Sequence, residues 1–200
     1  MKFEIDGHIV KESVDAVDLP ELLENSLRQL ASQNRRLSEI RIDNVPVYTD
    51  VLSYVKRAEM TIEYIQLLTV SVHQYVMDLS KQVKEYLPNL IAGIRGITDQ
   101  FYGEVTNETW SYLIEIIEGM NWLSQSMHTI DEEIKHTSKP IFKVNIESHM
   151  LANMREHFET INTALENQDY VTVADIFKYE LTALFEELLS QLQEVPESYV

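Results

Sequence analysis

One pattern constrains this chain more than any other, an apolar stripe in strict four-three alternation. It runs through Val51, Val55, Ala58, Ile62, Ile65, Thr69, Val72, Val76, Leu79, Val83 and Tyr86, and ten of these eleven positions are apolar. Apolar residues repeating every 3.5 positions mark one face of a coiled-coil-like or bundle helix. The spacing therefore predicts a helix from Val51 to Leu87, ended by Pro88 and about 55 Å long at about 1.5 Å per residue. Residues 61–72 are rich in β-branched side chains and would also suit a strand. The unbroken heptad on both sides argues for helix.

Further stripes follow. Leu90, Ile94, Ile97 and Phe101 suggest a short helix among Gly93, Gly96 and Gly103. Leu113, Ile116, Met120, Leu123, Met127, Ile130 and Ile134 hold heptad register on a second long helix, opening at Thr106 or Asn107. Leu151, Met154, Phe158, Ile161 and Leu165 stripe a third. Asp169 is the expected N-cap of a last helix striped by Val173, Phe177, Leu181, Leu184 and Leu188. Long helices with short connections make a bundle of about four helices. Their unequal lengths leave part of the 51–87 stripe uncovered, which points to an N-terminal module or a second subunit as its cover.

The first 47 residues follow a different period. Phe3-Glu4-Ile5 and His8-Ile9-Val10 alternate around Asp6-Gly7, a strong two-residue hairpin signal. Ile40 to Val47 repeats that pattern around Asp43-Asn44, with Pro46 restricted to an edge or a strand end. Between them, Asp18-Leu19-Pro20-Glu21 reads as a capping box opening a helix. The expected fold is mainly α. Residues 1–47 form a small hairpin–helix–hairpin module, and residues 48–200 form the helical bundle.

Charge narrows the function classes. The net charge is −17, and residues 96–200 carry 19 acidic against 5 basic side chains. Such a surface repels phosphate backbones and anionic membranes, so neither nucleic acid nor membrane is expected as a partner. The longest uncharged run, Tyr64 to Met77, is shorter than the roughly 20 residues a membrane span needs. Acids stand near the start, where a secretory signal would be apolar. With no cysteine present, thiolate metal sites and cysteine nucleophiles are excluded. The expected setting is the cytoplasm.

No spacing compels a reaction, and no cofactor is expected. Glu115 and Glu118 sit one helical turn apart, and Glu133 and His136 share their face. Carboxylates and imidazoles so spaced hold divalent metals when they point into a bundle core. In helical projection all four lie opposite the apolar stripe of their helix, so they read as a solvated face. Four Glu-x-x-Glu pairs among 23 glutamates are close to chance. The other histidines form no pair on one helix face. Trp122 projects onto that same polar face, one turn from Gly119. A mid-helix glycine costs about 1 kcal/mol against alanine, so it marks a close approach. Gly119 and Trp122 are thus candidate contacts, either with the N-terminal module or the 88–103 segment, or with a partner or second subunit.

The run from Asp169 to Leu181, with Ala174-Asp175 and Tyr179-Glu180-Leu181, resembles the opening of the last helix in an uncharacterised family of bacterial helical proteins. The stretch Phe101 to Leu123, with Trp110, Gly119-Met120 and Trp122-Leu123, looks like the middle of the same family. Thr182-Ala183 stand where that family often has a proline. The resemblance implies no activity and no functional residue. Physically, Asp169 caps the helix, while Asp175 and the Tyr179-Glu180 pair are placed to fix the last hairpin. The expected function is a soluble interaction or scaffold protein that binds a protein partner, or a second copy of itself, through helix faces. The alternative is a divalent-metal-dependent hydrolase of nucleotide-type substrates using Glu115, Glu118, Glu133 and His136.

Overall fold

The structure is a computed structural model that describes residues 1–48, 50–57, 61–135 and 148–193. The chain is mainly helical, with a small strand-containing unit ahead of a long-helix bundle. Its two compact units are Met1–Tyr75 and Val76–Val200.

The first unit contains β1 (Lys2–Ile5), β2 (His8–Lys11), α1 (Leu19–Ser32), β3 (Arg35–Ile42), β4 (Val45–Pro46), α2 (Val51–Arg57) and β5 (Tyr64–Ser71). Both hairpins form. Asp6 and Gly7 take φ of 49° and 82°, and Asp43 and Asn44 take 49° and 68°, as two-residue turns with positive φ require. Pro46 lies on an edge strand. The five strands run in the order β2-β1-β5-β3-β4, with β5 parallel to β1 and antiparallel to β3. The sheet packs on α1. Phe3, Ile42, Ile65 and Leu67 form one core with Leu19 and Leu23. Asp18 stands at the N-cap of α1 but makes no side-chain cap bond. It lies 3.9 Å from Lys11 instead, so the capping box does not form. Pro20 does occupy the first turn, as expected.

The central strand overturns the 51–87 helix. Along β5, Ile65, Leu67 and Thr69 are buried while Tyr64, Gln66, Leu68 and Val70 are only half-buried. That is period 2, not 3.5. The stripe misleads because its step from Ile65 to Thr69 is four residues, and four suits a strand as well as a helix. The three-residue steps on either side of it fall at junctions, from Ile62 into β5 and from Thr69 into the next helix. Once β5 is placed in the sheet, the strand-containing module extends well beyond residue 47. Among the described residues there is no single helix from Val51 to Leu87, so its uncovered stripe no longer argues for a second subunit.

The second unit is built of helices. α3 (Val72–Tyr102) includes both Pro88 and the segment expected to be a separate short helix. Pro88 is exposed, and the solvent side of a helix tolerates a missing backbone donor better than the core. α4 (Asn107–Lys135) carries its stripe as expected, with Leu113, Ile116, Met120, Leu123, Met127 and Ile130 buried. α5 (Ser148–Glu166) turns through Asn167-Gln168 into α6 (Tyr170–Asp175), where Asp169 caps the helix by accepting from the Thr172 amide at 3.1 Å. A π-helical turn (Ile176–Leu181) joins α6 to α7 (Thr182–Gln193). No helix among the described residues is long and apolar enough to cross a membrane.

Candidate interaction face at a π-helical turn

The spacing of core residues on the last helix explains its π-turn. Val173, Phe177, Leu181 and Phe185 are all fully buried, and each is four residues from the next. On an α-helix each step of four overshoots a full turn by about 40°, so three steps would rotate Phe185 about 120° off the core face. The wider π-turn absorbs that drift. It moves burial from Leu184, the expected stripe residue, to Phe185. The Thr182 hydroxyl stabilises the widened turn by donating to the Phe177 carbonyl five residues back, at 2.8 Å. π-turns are rare and often occur at functional sites, where they re-aim side chains.

Here the turn presents Asp175, Lys178 and Tyr179 to solvent beside the end of α3. The Tyr102 hydroxyl donates to the Asp175 carboxylate. The Lys178 ammonium lies 5.2 Å from the centroids of both Tyr102 and Tyr179, within cation–π range. Beneath this polar layer lies an aromatic one. Phe101 meets Phe177 in a stacked pair at 6.2 Å, Tyr170 at 5.9 Å and Trp110 edge-on at 6.2 Å. Around the rim, Tyr102, Trp110, Ile114, Val171 and Tyr179 remain exposed, Tyr179 and Val171 by 59% each. The result is an aromatic face with one cation in the acidic part of the chain.

The hydrogen bond to Asp175, with desolvation and the carboxylate charge adding to it, pushes the Tyr102 phenol from its usual 10 up to about 12. A raised pKa means that this contact supports the fold fully below about pH 10 and is lost as pH rises through about 12. In a spectrophotometric alkaline titration, one tyrosine should ionise near 12 in the folded wild type. Asp175→Asn should return it toward the ordinary range. A wild type with every folded-state phenol ionising together near 10 would contradict the Tyr102–Asp175 pairing.

Gly119 and Trp122 meet α3. A Cβ on Gly119 would overlap the Tyr86 hydroxyl and stand 3.3 Å from Leu90 Cδ1. Trp122 is half-buried, edge-on to Tyr86 at a centroid distance of 4.9 Å. The close approach that the glycine implied is therefore met within the chain. The relation is reciprocal, because Gly93 and Gly96 of α3 face Tyr112 of α4, and a Cβ on Gly93 would lie 2.6 Å from Ile116 Cδ1. Each helix lays a tyrosine over the other's glycine.

Glu115 and Glu118 are exposed and Glu133 is half-buried, while His136 lies outside the described residues. No group of three or more His, Asp or Glu side chains among the described residues is placed to hold a metal. Sequence reasoning singled out Asp175 and Tyr179 but not Tyr102 or Lys178 as their partners. The three successive four-residue steps were the available signal for the π-turn.

A family model described as "Domain of unknown function (DUF8042)" matches residues 78–191. No curated protein and no solved structure matches the chain. The matched stretch covers more than half of the chain and lies within the second unit. It contains the 101–123 segment, the 169–181 segment and the whole aromatic face. The chain thus belongs to this family of unknown function, and the π-turn face lies inside the domain that defines it.

Proposed function

We propose that this chain is a soluble, cytoplasmic protein-interaction module that takes a protein partner on the aromatic face around the π-turn. One observation carries the reading. Tyr102, Trp110, Ile114, Val171 and Tyr179 are large apolar side chains left exposed together, where the last helix departs from α geometry. Exposed apolar patches rimmed by polar groups mark binding surfaces, and tyrosine and tryptophan dominate their energetics. Glu104, Glu108 and Glu180 stand nearby and are exposed. The partner that fits is a segment with apolar anchors and basic flanks. Nucleic acid does not fit, because its phosphates would meet the acidic rim.

The test is affinity capture from a lysate of the source organism with wild type, Tyr179→Ser and Trp110→Ser side by side. A protein retained by wild type and lost from both variants, with helicity unchanged, is the expected result. Its capture should weaken as salt rises. Identical captures by all three would remove this face as the binding surface. Sedimentation of the same proteins separates a foreign partner from a second copy, since a self-pairing face would give a wild-type dimer that both variants dissociate.

A further inference from the structure

We propose that the first unit carries a binding site for a small uncharged polyhydroxyl ligand, of pyranose or ribose size, in the cleft between α1 and the β1–β2 hairpin. The cleft is about 340 Å³, within the range of small-ligand sites. The Asp6 turn and Arg35 form one wall, and it is held in place before any ligand arrives. Burial would push the Asp6 carboxyl up, but the Thr69 hydroxyl at 2.5 Å, the Thr69 amide at 2.8 Å and the Arg35 guanidinium at 3.0 Å hold it below its ordinary value. Arg35 also donates to the Thr69 hydroxyl and carbonyl, at 2.6 and 3.0 Å. The two opposite charges are spent on each other, so the wall attracts neither an anion nor a cation.

The other polar groups facing the cleft are unengaged. Ser26 is 96% buried, since only 4% of it is exposed, and it lines the cavity. Among the described residues its hydroxyl has no hydrogen-bond partner, and the same holds for the side chains of His8, Gln29 and Gln33. Because Ser26 lines the cleft, a ligand hydroxyl entering it would pair with the serine hydroxyl in place of solvent. Hydroxyl and amide groups both donate and accept, which matches ligand hydroxyls that do the same. Ile5, Val10 and Leu30 supply an apolar floor suited to the C–H face of a sugar ring.

The experiment is amide NMR of the full chain titrated separately with D-glucose, D-ribose, inorganic phosphate and acetate. Saturable shifts at Ser26, Gln29, Gln33 and Arg35 with either sugar, and none with the two anions, are expected. Ser26→Ala should weaken that binding about tenfold without lowering stability, because the lost hydroxyl had no partner in the protein. Gln29→Ala, at an exposed position, should weaken it as well. Saturable binding of phosphate or acetate at these amides would overturn the proposal, as would the absence of shifts with either sugar at high millimolar concentration. Unchanged sugar affinity in both variants would overturn it too.

Discussion

Phe177→Ala is expected to lower the stability of the helical unit by about 3–5 kcal/mol, the usual cost of truncating a buried phenylalanine. Phe177 is fully buried and stacks on Phe101 with planes 26° apart. Its backbone belongs to the π-turn, whose carbonyl at this residue is held by Thr182, so the site has little freedom to collapse around the cavity. Denaturant unfolding followed by tryptophan fluorescence isolates the effect. The chain has two tryptophans, Trp110 and Trp122, and both lie in the second unit. Tyr179→Ala is the control. It removes a larger ring two residues away, but that ring is 59% exposed, and its loss should stay within about 0.5 kcal/mol. A loss below about 1 kcal/mol for Phe177→Ala would mean that the aromatic layer is not packed as described.

The second large effect is one of sign. At an open helical position, glycine to alanine stabilises by about 1 kcal/mol. At Gly119 the new methyl would occupy the place of the Tyr86 hydroxyl, with Tyr86 Cζ at 3.2 Å and Leu90 Cδ1 at 3.3 Å. Overpacking of this kind typically costs about 1–3 kcal/mol, so Gly119→Ala is expected to destabilise. Tyr86→Phe removes the overlapping oxygen and keeps the ring. The double variant should therefore recover most of the loss, and the coupling energy should be about 1 kcal/mol or more for groups in direct contact. The tyrosine is only half-buried, so its ring has some room to swing, which places the cost toward the lower end of that range. If Gly119→Ala raises stability in the wild-type background, the α3–α4 approach is looser than the structure gives.

Local signals were legible wherever the chemistry is local. Asp6-Gly7 and Asp43-Asn44 specify hairpins because few residue pairs tolerate positive φ twice in succession. Asp169 specifies a helix start because its carboxylate reaches an amide three residues on. The stripe from Leu113 to Ile130 specifies a bundle helix, since nothing interrupts its period. Gly119 announced a close approach, yet its partner Tyr86 lies 33 residues away in sequence, and only the antiparallel pairing of α3 with α4 identifies it. The candidate face was half visible. Asp175 and Tyr179 stood in a recognisable run, whereas Tyr102 and Lys178 join them only after the last helix packs against α3.

By itself the sequence determined that two hairpins flank a helix, that long amphipathic helices follow, and that the acidity gathers in those helices. Turn dihedrals, caps and side-chain periodicity act within a few residues and leave a direct trace. Only the tertiary structure decided that residues 64–71 are a strand. Val, Ile and Thr spaced by four serve either period, and the choice came from pairing with β1 and β3, which completes both ladders around a central strand. The same holds for the π-turn. Three steps of four are compatible with a helix that simply drifts, and the turn widens because Phe185 must stay against the core that Val173, Phe177 and Leu181 have already entered.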